Sequence, residues 1–283
     1  MRQITLKNGD KINKLGMGTW FMGENQTMRQ EEIAALRYGI EHGVNLIDTA
    51  EMYGNGRSER LIGEAIAPFA RESLYLISKV LPSNANKRRM EQSCNASLAA
   101  LNTDYIDMYL YHWRGGTPLE ETVDMLEHLK GKGKIRAWGV SNFDVEDMQE
   151  LLELPAGKHC QINEVLFHLG SRGIEYALKP LQDKKGIPTL AYCPLAQAGS
   201  LQRKLLRNPE VNKIAQELNC SVYQVLLLFV LSQPNMIAIP KASKLSHMQE
   251  NIACLEMKLE PNQLARLNAA FPSPTGRTRL DIV

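Results

Sequence analysis

Four side chains in the sequence have the types needed to move a proton on and off oxygen. Asp48 and Tyr53 stand five residues apart in Leu46-Ile47-Asp48-Thr49-Ala50-Glu51-Met52-Tyr53-Gly54, Lys79 closes the run Leu76-Ile77-Ser78-Lys79, and His112 follows Leu110-Tyr111. An ammonium beside a phenol favours the phenolate, whose unperturbed pKa is about 10, and a carboxylate paired with that ammonium holds it charged and oriented. A tyrosine placed so delivers a proton near neutral pH. Each residue alone has a plainer explanation, because an aspartate can cap a loop, a loop tyrosine packs, and a lysine or histidine at a strand end is solvated. The four together, spread over successive β-rich runs, are far more specific.

The elements that must bring them together are legible as alternation. Eight β-rich runs, at 15–20, 45–48, 74–79, 106–112, 135–141, 160–164, 189–193 and 236–240, are separated by helical stretches such as 30–42, 58–67, 87–101, 119–130 and 173–184. In the second stretch, Leu61, Ile62, Ala65 and Ile66 form one apolar face. Strand and helix repeated eight times predict an α/β fold, a (β/α)8 TIM barrel, because eight crossovers can cover a closed parallel sheet; an open doubly wound sheet is the alternative. In such barrels chemistry gathers at the carboxyl ends of the strands, where Asp48, Lys79 and His112 fall. Runs 4–6 and 11–13 flank Asn8-Gly9-Asp10 as an N-terminal β-hairpin that could plug the barrel bottom. Residues 211–218 and 222–232 read as two helical pieces, and 261–270 as an extra C-terminal helix. No linker or low-complexity segment divides the chain, so 1–283 reads as a single domain.

Composition narrows the function classes. A charged share of 23% with a net charge of +2 gives no basic surface for nucleic acid. The longest apolar stretch, 225–231, is too short for a membrane span, and the amino terminus lacks a signal-peptide run, so a cytoplasmic protein is expected. Five widely spaced cysteines without a Cys-x-x-Cys pair suggest neither disulfides nor a zinc site. No metal is expected, and the partner to expect is a small molecule.

The motifs Gly16-Met17-Gly18-Thr19-Trp20, Ile47-Asp48-Thr49-Ala50 with Tyr53-Gly54, Ser78-Lys79, Leu110-Tyr111-His112-Trp113, Gly139-Val140-Ser141-Asn142-Phe143, Tyr192-Cys193-Pro194-Leu195, and Ile239-Pro240-Lys241 with Glu250-Asn251 occur in this order. Together they resemble the aldo-keto reductase superfamily over nearly the whole chain. That resemblance implies a barrel that binds a nicotinamide cofactor without a Rossmann fold, and no Gly-x-Gly-x-x-Gly follows the first strand. It implies Tyr53 as general acid, Lys79 and Asp48 as the pair that tunes it, and His112 as the group that orients a substrate carbonyl. It implies Tyr192 as a stacking platform for the nicotinamide, with Ser141, Asn142 and the residue at 164 on its carboxamide. Thr19, Trp20 and Asp48 from the early strands, and Pro194, Leu195 and Ala196 after Tyr192, complete the cofactor side. Lys241, Ala242, Ser243 and His247 are implied at the adenosine 2′-phosphate, Glu250 and Asn251 at the adenine. Trp20, Tyr53, His112 and Trp113 are implied around the substrate, with Phe21 beside them.

The sequence departs from the family in three places. Glu164 stands where Gln is usual; an ionised glutamate accepts from a carboxamide nitrogen but cannot donate to its oxygen, so either the cofactor is held more weakly or Glu164 is protonated. Ala242 replaces a frequent Ser, and His247 a usual Arg; histidine lacks the bidentate fork of arginine. NADPH is the expected cofactor, with NADH possible. An aromatic mouth with short flanking loops suits small aldehydes, ketoaldehydes and aromatic aldehydes, and Leu166-Phe167-His168-Leu169-Gly170-Ser171-Arg172 most resembles bacterial members that reduce methylglyoxal. Arg114 could attract an anionic carbonyl substrate. The alternative from another class is a cofactor-binding regulatory subunit of the same fold. A monomer is the family default.

Overall fold

The computed structural model describes residues 3–196 and 200–283. Eight parallel strands form one sheet in the spatial order of the chain: β3 (Met17–Gly18), β4 (Leu46–Asp48), β5 (Tyr75–Val80), β6 (Ile106–Tyr111), β7 (Ile135–Ser141), β8 (Asn163–Leu166), β9 (Thr189–Tyr192) and β10 (Met236–Ala238). The sheet closes on itself. Parallel bridges join Leu15 to Ala238 and Gly18 to Lys241, and the seam is bonded by Gly16 N–H to the Ala238 carbonyl at 2.8 Å and Gly18 N–H to the Pro240 carbonyl at 3.2 Å. The expected (β/α)8 TIM barrel is therefore the fold, and the open sheet is excluded.

Helices cover the outside: α1 (Arg29–Glu41), α2 (Arg57–Ile66), α3 (Met90–Leu101), α4 (Leu119–Gly131), α5 (Val145–Glu153), α6 (Leu178–Lys184), α7 (Ser200–Leu206), α8 (Pro209–Glu217), α9 (Val222–Ser232), α10 (Leu245–Ala253) and α11 (Pro261–Ala270). Helix α9 is buried at every position from Gln224 to Leu231, which is why it is apolar all round rather than striped. Its start is set by Ser221, whose hydroxyl accepts from Gln224 N–H while the Gln224 side chain returns to Ser221 N–H.

The hairpin of β1 (Gln3–Thr5) and β2 (Lys11–Asn13) does close the bottom. Ile4, Leu6 and Ile12 pack into one cluster with Leu46, Ile77, Met108, Ala137, Ile162, Leu190 and Ile237, the inward residues of the barrel wall. Side chains alternate along a strand, so the residues two further on point inward again, one layer higher. From Leu46, Ile77, Ile162 and Leu190 that step gives Asp48, Lys79, Glu164 and Tyr192. From Met108, Ala137 and Ile237 the same step gives Leu110, Gly139 and Ile239, so the upper layer is polar on four strands and apolar on these three.

Several boundaries differ from the sequence reading. The sixth barrel strand is Asn163–Leu166, not 160–164: its pairing with β9 starts at Asn163 opposite Thr189 and runs to Leu166 opposite Tyr192, so Glu164 lies within the strand, level with Ser141. Every residue from Cys160 to Leu166 is buried, and polar Gln161, Asn163 and Glu164 are interleaved with apolar residues on both sides of the true start, so the pattern does not mark the limit. The stretch 173–184 divides into a short 3-10 turn at Gly173–Glu175 and helix α6, whose first turn holds Pro180. Helices α5, α7 and α10 were not among the stretches read; α5 starts at Asp144, which forms a capping box with Asp147.

The seam has little room. A Cβ at Gly18 would lie 2.6 Å from the Ile239 carbonyl oxygen. Gly18→Ala is expected to lose about 1–3 kcal/mol of stability through strain at the closing strand. Urea unfolding of the two proteins checks this, and an unchanged midpoint would show that the seam relaxes freely.

Candidate active site

At the top of the barrel the inward polar layer is organised by one ammonium. Lys79 is completely buried, and its Nζ donates to Asp48 Oδ1 at 2.5 Å, to the Thr49 carbonyl at 3.0 Å and to the Tyr53 hydroxyl at 3.2 Å. Those are all the protons an ammonium has. Glu164 Oε2 lies 3.3 Å from the same Nζ, an ion-pair contact with no well-aligned hydrogen bond among the described residues, since the three protons point to other acceptors. Asp48 and Glu164 thus flank one ammonium.

The electrostatics follow from burial. Burial disfavours charge on Lys79, but Asp48, Glu164 and the Tyr53 phenol outweigh it and hold the amine protonated above its usual range. Asp48 is pushed up by burial and pulled back by Lys79. Tyr53 is a correction to the sequence expectation: burial raises the phenol well above its usual value, Lys79 only partly offsets this, and Asp48 and Glu164 add to the rise. The cation alone does not make an acidic phenol here, because burial outweighs it and the neighbouring carboxyls add to burial. His112, buried and facing Lys79, is pushed down to about 2 and is a neutral imidazole throughout the working range. Its Nδ1 has no partner among the described residues.

A cavity of about 460 Å³ opens above this cluster. It brings together most of the sequence candidates: Thr19, Trp20, Asp48, Tyr53, His112, Trp113, Asn142, Glu164, Tyr192, Pro194, Leu195, Ala196 and Lys241. Trp20 stacks on Phe21 at 4.6 Å between ring centroids, and Tyr53 meets the edge of His112 at 5.9 Å. Phe21 and Trp113 are exposed, which leaves the aromatic mouth open. Tyr192 donates its hydroxyl to Asn142 Oδ1 at 2.9 Å, and Asn142 Nδ2 donates to Ser141 and to the His112 carbonyl. Phe21, Asn142, Cys193 and Ala196 all have φ between 50° and 65°, a left-handed backbone rare outside glycine, and all line this cavity.

Other candidates lie outside the cavity lining. Ser141 is buried behind Asn142, and Ala242 is buried at the rim. Ser243 donates to Glu32 at 3.1 Å, tying α10 to α1. His247 is exposed in the first turn of α10; Glu250 is exposed and accepts from Ser221 at 3.1 Å; Asn251 is buried. The start of α10, at Lys244, has no side-chain cap, which leaves backbone N–H groups facing outward beside Lys241 and Lys244. Arg114 is not available to a substrate: its guanidinium is held by Glu150 at 2.8 Å and by the Thr117 carbonyl. Met52, Cys193, Gln202, Tyr223 and Val283 line the cavity without having been singled out. Gln202 and Tyr223 come from helices whose sequences carry no mark of pointing back to the mouth; only the turn after β9 brings Gln202 there, through its bonds to the Leu195 and Ala196 carbonyls.

With that geometry established, similarity to known proteins is informative. The aldo/keto reductase family model matches residues 14–271. The chain belongs to this family. Among its aldo/keto reductase relatives, a methylglyoxal reductase of Escherichia coli (YeaE) is 52% identical over 282 residues, covering 100% of this chain and 99% of that protein. A glyoxal reductase of Bacillus subtilis is 34% identical over 94% of this chain and 91% of its own length. A crystal structure of an aldo-keto reductase from Klebsiella pneumoniae in complex with NADPH superposes with a TM-score of 0.97 at 46% identity, covering 100% of this chain and 99% of that one.

The dependence of this layer on Lys79 gives a stability prediction. Lys79→Met leaves buried carboxyls without their cation and should destabilise the protein by about 3–5 kcal/mol near neutral pH. The deficit should shrink towards about pH 5, since a carboxyl without its cation takes up a proton more readily. Chemical unfolding of both proteins at the two pH values measures it; a pH-independent deficit would mean lost packing rather than stranded charge.

Proposed function

We propose that this chain reduces small aldehydes and ketoaldehydes of the methylglyoxal type to alcohols with NADPH, and that Tyr53 is the general acid. The observation that carries the reading is the protonated Tyr53 hydroxyl held on a buried ammonium at the floor of an aromatic cavity. The methylglyoxal and glyoxal reductases among the relatives support the substrate class, and the complex with NADPH supports the cofactor.

The residues present fit a nicotinamide dinucleotide. Glu164 lines the cavity with a carboxyl that can meet a carboxamide, Asn142 with a side-chain amide, and Tyr192 with a flat face. The uncapped start of α10 with Lys241, Lys244 and His247 fits a phosphate, as helix N-termini generally do. The bound reduced ring supplies a hydride to the carbonyl carbon. Neutral His112 can donate one ring N–H to the substrate oxygen and fix its direction. Tyr53 then gives its proton to that oxygen as negative charge develops, and Lys79, already bonded to the hydroxyl, faces the phenolate left behind. Asp48 keeps Lys79 charged and aimed. We read residues 1–283 as one domain serving this site. A purely regulatory, cofactor-binding role is disfavoured, because binding alone does not call for the acid, its ammonium and the orienting imidazole together.

Tyr53→Phe should lower kcat for methylglyoxal reduction by at least about 10²-fold while NADPH still binds. NADPH oxidation and fluorescence titration measure the two halves, and an active variant would remove Tyr53 from the role of acid. His247→Arg should tighten NADPH several-fold and leave NADH nearly unchanged, because only the former carries a phosphate for the guanidinium fork. Parallel titrations with both cofactors decide this; equal effects would place residue 247 away from the phosphate.

A further inference from the structure

Glu164 is 2% exposed, and its Oε2 has no hydrogen-bond partner among the described residues although a lysine lies 3.3 Å away. The reason is stoichiometric. Asp48, Thr49 and Tyr53 take all three protons of Lys79, so none remains for a second carboxylate. A buried carboxylate with no donor is costly, and the inexpensive solution is for it to carry its own proton. Asp48, which shares the Lys79 ammonium with Glu164 at 2.5 Å against 3.3 Å, is the neighbouring carboxyl that can accept it.

We propose that Glu164 is a positioning residue present as the carboxylic acid, donating its proton to Asp48, and that this proton controls whether Tyr53 can act as an acid. With the proton in place, one ammonium balances one carboxylate. When it is lost to solvent water as the pH rises, the cluster gains a buried negative charge that opposes formation of the Tyr53 phenolate, and reduction slows. The inference rests on the reductive reading of the site.

The surroundings agree. Ionisable groups facing Glu164 are Asp48 from β4, Tyr53 from the loop after it, Lys79 from β5, and Tyr192 and Cys193 from the end of β9. Burial raises Tyr192, and it pushes the Cys193 thiol up to about 11, so both are neutral in the working range. That leaves Lys79 and Asp48 as the ion pair beside Glu164. Burial first, and Asp48 second, push Glu164 well above the ordinary carboxylate range, the direction that a retained proton requires. A neutral acid also presents what an ionised one cannot, a free carbonyl-type acceptor towards the cavity while its hydroxyl is committed to Asp48.

The test uses the full chain and Glu164→Gln, whose amide keeps a donor towards Asp48 but has no proton to lose. In cofactor-free protein, infrared difference spectra across pH should show a carboxylic-acid carbonyl band in the wild type that disappears on alkalinisation and is missing from E164Q. In steady-state reduction of methylglyoxal by NADPH, the alkaline fall in wild-type kcat should move upward by at least about one pH unit in E164Q. The proposal is overturned if the wild-type-minus-E164Q spectrum shows only carboxylate at neutral pH, or if both proteins share one alkaline limb. A wild type inert towards aldehydes would instead sink the reductive reading, and the infrared result would still decide whether Glu164 holds its proton.

Discussion

The upper layer of this barrel depends on a single buried ammonium with three protons to distribute. Lys79 has no exposed surface, and each of its donors goes to a different part of the site: the end of β4, the backbone that follows it, and the phenol on the loop. A lysine in water has no preferred partner. Here the loss of solvent makes every partner obligatory, so the positions of Asp48, Thr49 and Tyr53 are fixed relative to one another by one atom. Such an arrangement is poor as a source of stability and good as a source of geometry. It also explains why a fourth acceptor, Glu164, must find its own solution.

The barrel supplies that ammonium with its setting through two regularities. The period of two along each strand points the side chain two residues above each inward apolar one back to the interior, and on four strands that side chain is Asp48, Lys79, Glu164 or Tyr192. The closed seam between β3 and β10 brings Lys241 beside Gly18, so the most distant strands in sequence share one rim with Asp48 and Tyr53. The hairpin at the bottom fills the lower layer with Ile4, Leu6 and Ile12 and leaves only the top for chemistry. Left-handed backbone at Phe21, Asn142, Cys193 and Ala196 marks where the loops bend inward to complete the mouth, and β-rich structure is released into function there.

Much of this was legible in the sequence for a physical reason. Asp48, Lys79 and His112 end strands whose apolar runs are unmistakable, and Tyr53 follows a strand by a glycine-bounded turn, so barrel logic alone brings them to one rim. Limits were lost where burial is continuous. The segment from Cys160 to Leu166 is buried throughout, and nothing in its polarity reveals that Glu164 is mid-strand. The short helices α7 and α10 are set by tertiary contacts rather than by periodicity. Cavity residues such as Gln202 and Tyr223 are invisible in sequence because they depend on how α7 and α9 return over the barrel. The expected acidification of Tyr53 by Lys79 failed for a related reason: composition shows the cation, but only packing shows how deeply the phenol is buried and that a second carboxyl shares the site.

That failure says something about direction. Burial holds the Tyr53 proton firmly in the resting site, which is a poor arrangement for a base and a suitable one for an acid that must not ionise early. An alkoxide is a stronger base than a phenolate, so the proton moves once negative charge has built up on the substrate oxygen. At that moment Lys79, held charged by its carboxyl neighbours, faces the new phenolate. The oxidative reaction would need the phenolate to form against burial and against Asp48. His112 reinforces the asymmetry, since a neutral imidazole orients the carbonyl without competing to protonate it. The cleft's own groups therefore favour Tyr53 as a proton donor, and the ammonium that enforces the geometry is also the group that faces the new charge.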